Sequence, residues 1–290
     1  MVRRYSLLIV AFFMAGLAFS QPETEVYLLD LTFADGTYTV SNPTSISKGN
    51  PGYDNQPSFS SDGQYIYYAA TRKGQTDILS VNLTTDERKW LSNTGEGGEY
   101  SPQLSPNQKF VTAVQLENNG TQLLWKYPIA NDESEVLIED AKIGYYVWAN
   151  DQKIVAFVLG EPNTLEIFDL AEKSSEKVTE KVGRSIHRIP SSSKVSFISK
   201  KEKEWMIMSL NPKNGKTKII TCSLTGAEDM TWTPDKRILM GKEDRLFFKN
   251  PKKDKKWIEI ESFNQLGYTG ISRVVVSPDG KKLAVVVSGK

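Results

Sequence analysis

One histidine, His187, and one cysteine, Cys222, stand among 290 residues. A lone cysteine closes no intramolecular disulfide, so the fold must rest on a large apolar core. A lone histidine excludes metal centres that gather several imidazoles round one ion. His187 could join a Ser-His-Asp triad, but the chain has no Gly-x-Ser-x-Gly nucleophile turn to hold the serine. Charge of one sign is also missing. The 36 Lys and Arg against 35 Asp and Glu leave a net charge of +1. That balance supplies no global field for nucleic acid or an anionic membrane, so nucleic acid is not an expected partner. Helical periodicity of useful length is absent after the first twenty residues.

Those first residues differ in kind. Arg3 and Arg4 precede an apolar run from Leu7 to Phe19, and Ala18-Phe19-Ser20 sets small residues before Gln21. A charged start, a short apolar core and a small-residue exit read as a secretory signal peptide over 1–20. The run is short for a membrane span, which takes about 20 apolar residues; an uncleaved anchor is the alternative. No cysteine follows it to carry a lipid at that junction. The expectation is a periplasmic or secreted protein with no stable membrane span after cleavage, and one domain over 21–290.

Six segments repeat a hydrophobic residue, a small or hydroxyl residue, a polar turn and a β-rich run. They begin at Phe59, Leu104, Trp148, Ile189, Trp232 and Val276, at intervals of 45, 44, 41, 43 and 44. A period of roughly 40–50 residues with several strands per unit is that of a β-propeller blade. The second copy shows the four strands: Pro102–Leu104, Phe110–Val114, Leu123–Tyr127 and Val136–Ile138, with a turn at Ala130–Ser134 before the last. The fourth copy, Ile189-Pro190-Ser191-Ser192-Ser193, is the most eroded. After Val276 only one further strand, Leu283–Val287, remains. Glu25–Leu31 and Thr37–Val40 read as the missing outer pair. The predicted fold is all-β: a six-bladed propeller of four-stranded antiparallel blades, closed by N-terminal strands that complete the C-terminal blade and hide its edges.

The turns have a physical reading. In Val276-Ser277-Pro278-Asp279-Gly280, Pro presets φ and Gly accepts the left-handed conformation that closes the hairpin. Gly63 keeps that last residue; Gln108, Gln152, Ser193 and Lys236 replace it. Each of those either adopts a left-handed backbone, at about 1 kcal/mol, or its turn has another geometry.

This pattern, with the Ile-Leu-x-Val-Asn-Leu strand at 78–83 after Asn55-Gln56-Pro57-Ser58-Phe59, resembles the TolB-like family of WD-repeat-like propellers over essentially the whole mature chain. The resemblance implies the propeller fold. It also implies a place among periplasmic interaction proteins or the non-catalytic propellers of serine peptidases. The chain has no room for the α/β domain that precedes the propeller in TolB, nor for the peptidases' hydrolase domain or a peptidoglycan-binding module.

Propellers bind at the channel mouth, where residues just upstream of each inner strand gather. By register these include Asp54, Asn55, Glu99, Tyr100, Tyr145, Arg184, Glu228, Asp229 and Arg273, with Gln56, Ser101, Ser185 and Ser272 beside them. His187 is placed at the start of an inner strand, on the channel wall. Acids, arginines and tyrosines together are residue types of a recognition surface. Trp148 and Trp232, at the leading position, are expected between blades, and Cys222 as an inert thiol on a strand. The expectation is an exported, monomeric, non-catalytic propeller without cofactor or metal, binding a protein or peptide of the cell envelope through its channel mouth. The alternative is a carbohydrate- or lactone-acting enzyme, or a lectin, using acids of that mouth. A scaffold subunit packing through its rim is a third reading.

Overall fold

The computed structural model describes residues 22–95, 97–130, 133–262 and 269–288. The signal segment and the turn residues Asn131 and Asp132 lie outside them. The described residues are all strand, turn and loop, and no helix among them is long and apolar enough to cross a membrane.

The N-terminal strands β1 (Thr24–Ala34) and β2 (Thr37–Ser45) are followed by four-stranded units in chain order. Blade 1 comprises β3 (Asn55–Phe59), β4 (Tyr65–Arg72), β5 (Gln75–Asn82) and β6 (Arg88–Trp90). Blade 2 comprises β7 (Gly98–Leu104), β8 (Phe110–Leu116), β9 (Gln122–Pro128) and β10 (Glu135–Ile138). Blade 3 comprises β11 (Ile143–Trp148), β12 (Lys153–Val158), β13 (Thr164–Asp169) and β14 (Ser174–Glu180). Blade 4 comprises β15 (Val182–Arg188), β16 (Val195–Ser199), β17 (Met206–Leu210) and β18 (Thr217–Cys222). Blade 5 comprises β19 (Met230–Trp232), β20 (Ile238–Lys242), β21 (Arg245–Lys249) and β22 (Ile258–Ser262), and the chain ends on β23 (Thr269–Val276) and β24 (Lys282–Ser288). Within each unit neighbours pair antiparallel, and one parallel bridge, Thr76 to Gly98, links blades 1 and 2. The last sheet runs β2-β1-β24-β23, with Val26 opposite Val286 and Leu28 opposite Ala284. The two ends of the chain thus share blade 6.

Alternation along each strand sends apolar side chains to both faces, and those faces meet between blades. Six buried clusters among the described residues each join two neighbours. Leu239, Leu246 and Phe248 of blade 5 pack on Leu29, Leu283 and Val285 of blade 6. Ile66, Tyr68 and Val81 of blade 1 pack on Val26, Ala284 and Val286 of blade 6, which completes the circuit. The leading residue Trp232 is buried in the joint between blades 4 and 5, beside Ile198 and Ile207.

The recurring turn is held by its own side chains. Ser277 Oγ donates to Asp279 at 2.6 Å and accepts the Lys282 N–H at 2.9 Å, while Asp279 accepts the Lys281 N–H at 3.0 Å. Ser60, Asp62, Gln64 and Tyr65 repeat the pattern. These bonds hold the carboxyls of Asp62 and Asp279 below the usual carboxylate range. Four turns put their last residue in the left-handed region: Gly63 (φ 71°), Gln108 (60°), Lys236 (67°) and Gly280 (76°). The other two differ. Asn150 accepts the N–H groups of Gln152 and Lys153 in the third copy, and the eroded fourth moves the positive φ to Ser191 (50°).

Candidate functional site

The inner strands β3, β7, β11, β15, β19 and β23 surround a central cavity of about 100 Å³. No backbone ladder joins neighbouring inner strands among the described residues, and side chains bridge them. Ser58 Oγ donates to the Pro102 carbonyl (2.6 Å), and Gln103 Nε2 to the Tyr146 carbonyl (2.6 Å). Ser185 Oγ accepts the Met230 N–H (3.1 Å).

Five of the six inner strands slip register at the mouth: β3 after Asn55, β7 after Tyr100, β11 after Ile143, β15 after Val182, and β23 twice before Arg273. An extra residue bends the strand and re-aims the side chains around it. In β3 and β7 the bulged residues, Gln56 and Ser101, have φ of 55° and 54°. Gln56 Oε1 then accepts the Ser101 N–H at 2.7 Å.

Of the residues expected at the mouth, Tyr145, Arg184, His187, Asp229 and Arg273 line this one cavity. Arg184 forks onto Asp229, Nη2 to Oδ2 at 2.6 Å and Nε to Oδ1 at 3.3 Å. Arg273 Nη1 reaches the same carboxylate at 3.2 Å, and its Nη2 donates to Tyr145 Oη at 3.2 Å. Tyr145 belongs to blade 3 and Arg273 to blade 6, three blades away in the ring. The arginine therefore bars the channel from side to side, with its guanidinium 5.6 Å from the Tyr145 ring centre. Two guanidiniums share one carboxylate, and the cluster carries an excess positive charge. Asp229 raises the already high pKa of Arg184 against the opposing effect of burial.

Glu228 stands behind this cluster. It accepts the Arg184 N–H and pairs with Lys200 at 2.8 Å, whose ammonium lies 4.3 Å over the Trp205 ring. Tyr100 packs edge-on to Tyr53, ring centres 5.9 Å apart. Burial pushes the Tyr53 hydroxyl well above the usual phenol range, with Arg273 and Arg184 opposing. Tyr53 and Lys200 were not among the expected residues: one falls just before the counted window, the other on the loop between β16 and β17.

His187 Nε2 lies 2.8 Å from Ser185 Oγ. Part of the ring faces the cavity, but the enclosing wall strips it of solvent and pushes its pKa down to about 4. The imidazole is therefore neutral near pH 7, and no carboxylate among its hydrogen-bond partners orients it as a triad would require.

Five expected residues do not line the cavity: Tyr100 and Glu228 stand beside it, and three others turn away into the fold. Asp54, Asn55 and Glu99 are buried, at 0%, 4% and 0% exposure. Asp54 accepts from Asn50 (3.1 Å) and Asn55 donates to Thr24 (3.3 Å), both where the N-terminal strand meets blade 1. Glu99 turns into the joint of blades 1 and 2, against Ser92, Thr94 and Tyr127. The cause is register: β3 and β7 start earlier than expected, so Asn55 and Glu99 lie on strands ahead of the bulges and Asp54 immediately precedes β3. Burial raises the pKa of both Asp54 and Glu99 to about 7. Among the described residues, no group of three or more His, Cys, Asp or Glu is placed to hold a metal ion.

No family model and no curated protein sequence matches the chain. Solved structures do. A protein assigned as TolB from Agrobacterium tumefaciens is similar over 93% of this chain and 99% of its own, with 12% identity and a TM-score of 0.70. TolB from Acinetobacter baumannii is similar over 92% of this chain and 64% of its own, with 13% identity and a TM-score of 0.57. Oligogalacturonate lyase from Vibrio parahaemolyticus is similar over 92% and 98%, with 11% identity and a TM-score of 0.56. Identities this low speak for architecture alone. In architecture, this chain is a TolB-like β-propeller.

Proposed function

We propose that the protein is an exported, non-catalytic propeller that binds a protein or peptide of the cell envelope at its channel mouth. The observation that carries this reading is the Arg184–Asp229–Arg273–Tyr145 cluster. Four blades supply these side chains, which converge on one cavity and are fixed by mutual hydrogen bonds before any partner arrives. Such preorganisation lowers the ordering cost of association. The signal-like N-terminus supports export, and two structural neighbours bear the name TolB.

The enzymatic alternative draws on the lyase neighbour and needs acids with raised pKa at the mouth. Such acids exist, as Asp54 and Glu99, but they sit in strand junctions away from the cavity. His187 is neutral and lacks an acidic partner.

The test is affinity capture from an envelope extract with immobilised mature protein, run beside Tyr145→Ala and Arg273→Ala. A partner retained by the wild type and lost by both variants is expected. Retention of every captured protein by both variants would overturn the reading.

A further inference from the structure

We infer that the channel mouth recognises a carboxylate, and that the group it takes is the acidic end of a peptide. This rests on the peptide-binding reading above and narrows it. A guanidinium has five N–H donors. Arg184 gives two to Asp229, and no acceptor among the described residues takes its other three. Arg273 is tied to Asp229, Tyr145 and the Ser272 carbonyl, so its position is fixed in advance. The planar fork of arginine matches a carboxylate in two parallel bonds, and a charge-assisted bond is about twice as strong as a neutral one.

A second observation is independent of the charges. Ser101 lines the same cavity, is only 8% exposed, and holds an Oγ with no hydrogen-bond partner. Buried hydroxyls are ordinarily satisfied, so an Oγ left without a partner beside the cavity has a donor to spare. The available space favours an end over a loop. A cavity of about 100 Å³ holds roughly three waters at about 30 Å³ each, which suits a carboxylate and the carbons behind it. A peptide threaded sideways is too large, whereas a C-terminus or an Asp or Glu side chain can enter along the axis.

Asp229 acts in this scheme as the resident anion that an incoming carboxylate must displace or share. Removing its charge should therefore strengthen binding, a gain that misfolding cannot imitate. The probe is a fluorescein-labelled Gly-Ser-Gly-Ser-Asp-Asp peptide with a free C-terminus, followed by anisotropy against a Gly-Ser-Gly-Ser-Asn-Asn amide. The acidic probe is expected to bind about ten-fold more tightly than the amide, one charge-assisted bond's worth. Arg273→Gln and Arg184→Gln should each abolish that preference, and Asp229→Asn should increase it. Equal binding of both probes would overturn the carboxylate assignment while leaving peptide binding intact. Failure of both probes while envelope capture still yields a partner would overturn it too. Failure of capture and probes alike would remove the underlying reading. Arginine-dependent binding of oligogalacturonate in place of the acidic peptide would keep the carboxylate and overturn the peptide as its source.

Discussion

The indole N–H of Trp148 donates to Thr112 Oγ1 at 2.9 Å across the joint between blades 3 and 2. The same bond recurs two blades on, where Trp232 donates to Ser196 Oγ at 2.8 Å, again across 36 residues. Thr112 and Ser196 are both fully buried. The leading tryptophan of the repeat therefore hooks its blade onto the middle of the preceding one.

Thr112→Val keeps the shape and removes the acceptor. It leaves Trp148 Nε1–H unpartnered and costs Tyr146 one of its bonds, which at 2.9 Å also ends on Thr112 Oγ1. The expected loss is about 1–3 kcal/mol, a fall of roughly 2–4 °C in Tm per kcal/mol for a domain of this size. Ser196→Ala should act alike, and Thr112→Ser should restore most of the loss. Thermal unfolding followed by circular dichroism decides it; a Thr112→Val variant as stable as the wild type would show that the bond contributes nothing.

The turns give opposite signs at equivalent positions. Gln108 and Lys236 hold left-handed backbones at φ of 60° and 67°, a conformation that costs a non-glycine residue about 1 kcal/mol. Gln108→Gly and Lys236→Gly should therefore raise the denaturation midpoint or leave it unchanged. Gln152 lies outside the left-handed region, so Gln152→Gly should lower stability by about 0.5–1 kcal/mol through backbone entropy. Urea titration of the three variants reads the contrast, and a common sign for all three would refute it.

Much of this was legible in the chain because the blade repeat encodes it directly. Trp148, Trp232 and the β1–β24 pairing follow from spacing and from which strands each end lacks. Arg184, Asp229, Arg273 and Tyr145 were reached by the same register. The bulges were not legible. Gln56 and Ser101 adopt left-handed backbones without the glycine that usually advertises one, so nothing in the sequence marks where β3 and β7 begin. Spacing alone therefore points Asp54, Asn55 and Glu99 at the mouth, whereas they enter strand junctions. Lys200 carries no signal in the sequence because its partner, Glu228, comes from the next blade.

Lys249 offers a test of buried charge. It is 3% exposed, and its ammonium contacts Cys222 Sγ at 3.6 Å and the Trp257 ring at 5.8 Å. No carboxylate among the described residues pairs with it. Dehydrating an ammonium for a thiol and a ring is poor compensation. Lys249→Met, similar in volume, should hold or raise the denaturation midpoint. A loss of more than about 1 kcal/mol, on the scale of typical destabilising substitutions, would show that the charge is needed.

Glu99 should set a pH dependence, and a single serine proton explains why. Ser92 Oγ accepts the Ile78 N–H at 2.9 Å and lies 3.0 Å from both Asp77 Oδ1 and Glu99 Oε2. One hydroxyl has one hydrogen, so it cannot donate to two carboxylates. Asp77 is paired with Arg72 at 3.1 Å and keeps its charge partner. The arrangement is satisfied when Glu99 is protonated and donates to Ser92, while Thr94 (2.7 Å) and Tyr127 (3.3 Å) donate to its other oxygen. Burial first, and Asp77 beside it, raise the Glu99 pKa from 4.5 to about 7. The folded state then binds the proton more tightly than the unfolded chain. Its stabilising contribution is complete below about pH 4.5 and is lost as pH rises through about 7, with an upper bound of roughly 3 kcal/mol. Glu99→Gln reproduces the donors and acceptors without the titration. Its Tm relative to wild type should therefore climb between pH 5 and pH 8, and Asp54→Asn should add a change of the same sign, since burial likewise raises Asp54 to about 7. A Tm difference between wild type and Glu99→Gln that stays flat across that range would mean that Glu99 is ionised in the fold and that Ser92 is satisfied in another way.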